Sequence, residues 1–178
     1  MLDQTNDRIW DFSAIGMWWE ILKDTADTKG EYFEAINVIA PGFGGPPLHV
    51  HPNAEESYAI QSGVLDVCVA GEWRQVGPGE TVTVPAGVPH TLKNPHADEV
   101  RLINVHKPAL EFEHFFRRMH TLVSSGKAKL PPKDFSSLVL ISMLFVAHEN
   151  EIKSANPPHA VMRVLALVGK MLGYKLPE

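Results

Sequence analysis

Four side chains in this sequence have the types and spacing of a metal shell: His49, His51, Glu56 and His90. His49 and His51 stand two apart, so on an extended strand both imidazoles leave the same face. Glu56 follows the turn Pro52-Asn53-Ala54, where a returning strand can present a carboxylate to that face. His90 arrives on a later strand, past the turn residues Pro85-Ala86-Gly87-Val88-Pro89. Three neutral imidazoles and one carboxylate suit one divalent transition metal, and the ligand set alone does not choose among Fe, Mn, Ni, Co, Cu and Zn. Four protein ligands leave an octahedral ion two positions, enough for a bidentate oxygen ligand or for one substrate atom plus dioxygen. The shell carries a single negative charge, so a divalent ion stays net positive and acts as a Lewis acid that lowers the pKa of a bound hydroxyl. Glu56 is also the candidate catalytic residue, a proton acceptor where it is weakly bound.

Short strands must position these groups. Met17 to Leu22 and Tyr32 to Ala40 are rich in aromatic and aliphatic residues and are separated by a polar turn. Ala54 to Ile60 and Val64 to Ala70 flank Gln61-Ser62-Gly63, and Gly71-Glu72 leads into Trp73 to Val76. Thr81 to Val84, His90 to Lys93 and Val100 to His106 complete the series. Strands this short, with turn signals at near-regular spacing, predict an all-β barrel or double-sheet jelly roll. Tyr58 and Ile60 share strand parity with Glu56, and Asn104 and His106 share a face on the last strand. All four are candidates to line a substrate pocket, and each would serve equally as ordinary barrel filling.

The ligands sit inside two longer patterns. The first runs Gly44-Gly45-Pro46-Pro47-Leu48-His49-Val50-His51, then Glu56 and Gly63; the second runs Gly79, Pro85, Gly87, His90, Asn94. These resemble the two motifs of the cupin superfamily. The second matches at every fixed position; the first departs only where Phe43 replaces the opening glycine, in a loop. The motifs span residues 43 to 94, and barrel-like flanks carry the resemblance to roughly residues 10 to 106. It implies a double-stranded β-helix (jelly-roll) barrel with His49, His51, Glu56 and His90 as metal ligands. The pattern is similar to small one-barrel cupins related to quercetin dioxygenases, which implies a metal-dependent oxidoreductase acting on a small oxygen-rich organic molecule. Metal-dependent isomerases and decarboxylases, and non-catalytic binding or sensing modules, share this fold, so those readings stay open. A phosphosugar site would need converging cations, and only Arg74, Lys93 and Arg101 lie on barrel strands. Many cupins are dimeric, which implies a homodimer.

After Pro108 the pattern turns helical, dividing the chain into a barrel, 1–108, and a C-terminal α-helical extension, 109–178, packing on the barrel or a partner subunit. Glu111 to Val123 carries Phe112, Phe115, Phe116, Met119 and Leu122 at helical spacing. This stripe could be a lid over the barrel mouth, with Phe115 at the pocket, or could bury against the outside of the sheet. Asp134 is the expected N-cap of a second helix, apolar nearly all round, and Pro157-Pro158 precede a third from His159 to Leu172. With 178 residues, 44% of them hydrophobic, the chain can bury a full core. A net charge of −5 gives no footprint for nucleic acid. The lone Cys68 cannot form an internal disulfide, which points to a reducing cytoplasm. The polar start, Met1 to Asp11, does not read as a signal peptide. The longest apolar run, Leu138 to Ala147, is too short to span a bilayer, and the expected partner is a small molecule.

Overall fold

Two strands show how the barrel is graded from end to end. β5 (Glu55–Ser62) buries Glu56, Tyr58 and Ile60, while β10 (Val100–Lys107) buries Val100, Leu102, Asn104 and His106. The alternation is the period-two signature of a strand with one face inward. They pair antiparallel, so His106 stands opposite Glu56, Asn104 opposite Tyr58, and Leu102 opposite Ile60. One end of the barrel is therefore polar inside and the other apolar. The structure, a computed structural model, describes residues 7–178. The signal-peptide question thus turns partly on residues 1–6, which lie outside the described residues.

The remaining strands are β1 (Ile9–Phe12), β2 (Met17–Lys23), β3 (Phe33–Ile39), β4 (His49–Val50), β6 (Leu65–Val69), β7 (Glu72–Val76), β8 (Thr81–Val84), β9 (His90–Lys93) and β11 (Lys153–Ser154). They form two antiparallel sheets, ordered β1-β2-β3-β10-β5-β8 and β11-β4-β9-β6-β7. This is a jelly roll with C-terminal helices, as the strand pattern predicts. Two strands were not legible. Residues 9–12 sit in what reads as a polar start, yet Trp10 and Phe12 are buried and the segment pairs with β2. β11 is only two residues long and pairs with β4, a partner about a hundred positions earlier.

The apolar end is filled by the barrel's own side chains, among them Ile39, Ile60, Leu65, Val67, Val82 and Leu102. Glycines let the ends close. A Cβ on Gly45 would lie 1.8 Å from the Leu92 carbonyl oxygen, and the residue has φ +89°, so no side chain fits there. Asn94 is fully buried, and its amide donates to the carbonyls of Ile39, Ala40 and Asp98, tying the loop before β4 to the turn before β10.

Three helices follow: α1 (Phe112–Ser124), α2 (Phe135–Ala147) and α3 (His159–Met171). Asp134 caps α2 by accepting from the Ser137 amide at 2.8 Å. α2 is covered on several sides, with Val139 to Phe145 all buried, which is why its apolar residues show no single stripe. One core cluster joins Trp10, Phe12, Trp19 and Phe33 of the barrel to Phe112, Phe115 and Phe116 of α1 and Leu140 and Leu144 of α2. No helix among the described residues is long and apolar enough to cross a membrane.

Candidate metal centre

The ligand set is assembled from both sheets. β4 and β9 pair with His49 directly opposite His90, His51 follows at the end of β4, and Glu56 comes from β5 in the other sheet. One donor atom from each of the four lies within 4.8 Å of all the others. His49, His51, Glu56 and His90 are 6%, 2%, 6% and 0% exposed, so bulk water does not solvate the cluster.

Backbone carbonyls orient the imidazoles. Nδ1 of His49 lies 2.8 Å from the Pro47 oxygen, Nδ1 of His90 2.9 Å from that of Val88, and Nδ1 of His51 2.7 Å from that of Glu151. A carbonyl can only accept, so each Nδ1 carries a proton, and in its neutral form each ring turns a bare Nε2 inward. Nε2 of His51 and of His90 stand 3.0 and 2.8 Å from Oε2 of Glu56. Lone pairs facing a buried carboxylate repel unless positive charge lies among them. The donor set therefore fits a cation.

The electrostatics agree. Burial first, then His90 and His51, push His49 down to about 3, which keeps its ring neutral and able to ligate. Burial alone would push Glu56 up, but His106 and His51 outweigh it and hold the carboxyl well below the usual range. His90 is opposed by burial yet ends up raised, through its contact with the same carboxylate. A charged carboxylate beside a neutral His49 suits a divalent ion, and the proton that Glu56 favours on His90 is one that ligation would displace.

Two residues of β10 surround the other carboxylate oxygen. The Asn104 amide donates to Oε1 of Glu56 at 2.8 Å and to the Ser57 carbonyl at 3.3 Å. Nε2 of His106 is 3.2 Å from that oxygen but is not aligned to bond it, and neither ring nitrogen has a protein partner. His106 is completely buried, and polar atoms at such a place are normally paired. The structure thus brings Asn104 and His106 to the cluster. Tyr58 adjoins it: burial and then Glu56 push its phenol well above the usual range. Ile60 lies further along β5, in the apolar core.

The aromatic cover comes from α1, in a different phase from the one Phe115 suggests. Phe112 packs on His106 and His51, with ring centres 4.1 and 5.0 Å apart, and Phe116 lies 5.5 Å from His106. Phe115 points to Phe145 and His148 instead, so it is not brought to the centre. Residues 112 and 116 are one helical turn apart and share a face, whereas 115 is rotated toward α2. The Glu151 carbonyl left no trace in the sequence, because any residue type supplies one. Through it the extension touches His51, and through β11 it touches His49, which stands opposite Ser154.

Residues 35–106 match the family model for the Cupin domain, and the four gathered donors, which could hold one metal ion, lie within that stretch. The fold of the barrel is shared by an RmlC-like cupin from Shewanella frigidimarina, at 22% identity and TM-score 0.52, over 64% of this chain and 92% of that one. KdgF from Halomonas sp. matches at 18% identity and TM-score 0.51, over 58% of this chain and 89% of that one. Neither match extends over the whole chain. No curated protein matches it in sequence.

Proposed function

We propose that this cupin is a metal-dependent oxidoreductase of the dioxygenase type, acting on a small, oxygen-rich organic molecule. The observation that carries the reading is the surround of the cluster: His106 buried and unpaired, Asn104 holding Glu56, and Phe112 and Phe116 closing the space. When bound, the metal would supply Lewis acidity and, as iron(II), access to dioxygen chemistry. The residues then have distinct parts. His49, His51, Glu56 and His90 hold the ion. Glu56 accepts the proton of the substrate hydroxyl, with Asn104 fixing the orientation of its carboxylate. His106 offers a ring nitrogen to a substrate oxygen, and the aromatic rings exclude water, as an oxidisable intermediate needs. Tyr58 borders the same space.

A phosphosugar reaction has less support. Arg101 reaches outward to Gln61 and Glu20, Lys93 lies over the exposed Trp73, and Arg74 is exposed. None of the three converges on the cluster. The lone Cys68 is buried and free, which suits a reducing cytoplasm, and we take the working form to be a homodimer.

Elemental analysis of native protein, paired with oxygen uptake on flavonols, catechols and β-diketones, tests the function. Iron with uptake is the expected outcome. Zinc without uptake sinks it and favours an isomerase, a decarboxylase or a binding protein. Anaerobic titration followed by admission of air separates the last of these, which would bind without turnover.

A further inference from the structure

Helix α3 has two apolar faces, and the fold uses only one. Met162, Ala166 and Gly169 are buried against α2. The fit there is close: a Cβ on Gly169 would lie 2.4 Å from a Val139 methyl and 2.7 Å from the Met143 sulfur. On the other side Val161, Val164, Val168 and Met171 follow one another at intervals of three, four and three residues. That is the spacing of a seam along which one helix meets another. Val161, Val164 and Met171 are 45%, 63% and 79% exposed, and the flanking Leu167 and Leu172 are 61% and 60% exposed.

Exposed apolar residues also stand on α2. Because Val139 meets Gly169, the start of α2 lies beside the end of α3, and that is where Phe135 and Leu138 are also exposed. Single exposed leucines are ordinary, but a row of exposed apolar residues along one helix face marks an interface. The exposed parts of Val161, Val164, Leu167, Met171 and Leu172 amount to several hundred Å² of apolar side chain, on the order of an interface patch.

The seam's chemistry narrows the occupant. It carries no charge. Of the ionisable residues of α3, His159 and Arg163 are turned to Glu149, at 3.2 and 2.7 Å, and Lys170 lies off the seam. A partner must therefore present an uncharged apolar helix, which this chain itself possesses. Two copies of α3 packed antiparallel about a two-fold axis place each seam on the other and keep the two Lys170 ammoniums at opposite ends.

We propose that the outer face of α3 is the surface on which two copies of this chain associate. This deepens the homodimer reading and is independent of the chemistry at the metal. Light scattering coupled to size exclusion on the full chain across the micromolar range tests it. The wild type should have twice the chain mass. V164E/L167E should fall to the single-chain mass while keeping its circular dichroism and its metal. The milder V164A/L167A, which should retain the fold, should weaken association about tenfold or more. Trp73→Glu, on the exposed strand β7 of the far sheet edge, should leave the mass doubled. A wild type at single-chain mass, undiminished association in both seam variants, or a dimer broken by Trp73→Glu would each overturn the proposal.

Discussion

The two ends of this barrel are built on the same strands and closed by opposite means. At one end β5 and β10 contribute Ile60, Val100 and Leu102, and the two sheets fill the space between them with their own side chains. Four residues along, the same strands contribute Glu56, Asn104 and His106, which cannot be left in an apolar interior without partners. That end receives a cation site inside and a cover from outside: Phe112 and Phe116 over the rings, and the Glu151 carbonyl behind His51. A self-filled end needs only apolar volume. A polar end needs specific donors, and this chain takes some of them from its C-terminal extension.

If the ends are separable in this way, the largest effect should come from His49→Ala combined with His51→Ala. Stoichiometric metal, read by elemental analysis, should be lost altogether while circular dichroism still reports a folded barrel. Retention of full metal would break the ligand assignment and the contrast with it. Next come two truncations of fully buried side chains, one at each end. Leu102→Ala should cost about 2–5 kcal/mol and Phe112→Ala about 3–5 kcal/mol in denaturant unfolding. Only Phe112→Ala should also speed metal loss to a chelator. Equal chelation rates in the two would show that the cover does not guard the centre.

A smaller effect sharpens the part played by the extension. Ser154→Pro should disrupt the pairing of β11 with β4 and shift the neighbouring Glu151 carbonyl, lowering metal affinity about 10- to 100-fold, as loss of a group that orients a ligand typically does. Unchanged affinity in a titration would confine the site to the barrel.

The smallest effect is on pH dependence. His49 is held down to about 3 and His148 to about 4, in both cases chiefly by burial, and His106 is lowered for the same reason. Unfolded, these rings take protons near 6.5, so below that pH the unfolded chain binds more protons than the fold. Their stabilisation is complete above about 6.5 and is lost as pH falls toward 3 to 4. His90, raised by Glu56, acts in the opposite sense above 6.5. The Tm of metal-free protein should therefore peak near pH 6.5 and decline on the acid side; a flat profile from pH 7 to 4 would contradict the burial of these rings.

Much of this was legible because it is local. The strand alternation, the turn glycines and the His49-x-His51 and Pro85-x-Gly87 spacings each act within a few residues, and the jelly roll follows from them. The Asp134 cap and the limits of α3 were equally local. The misses share one cause. β1, β11, the choice of Phe112 over Phe115, and the Glu151 carbonyl all depend on which distant segment a residue meets.

Residue types and intervals alone determined that the chain makes short antiparallel strands, that a quartet of donors has the spacing of one metal shell, and that helices follow. Tertiary structure decided what closes over those donors: the rotation of α1 about its axis, the return of the chain to β4 at Lys153–Ser154, and the unpaired state of His106. Local patterns select a backbone conformation from its short-range energies, whereas a cover, a carbonyl or a seam exists only once segments far apart in the chain are packed against each other.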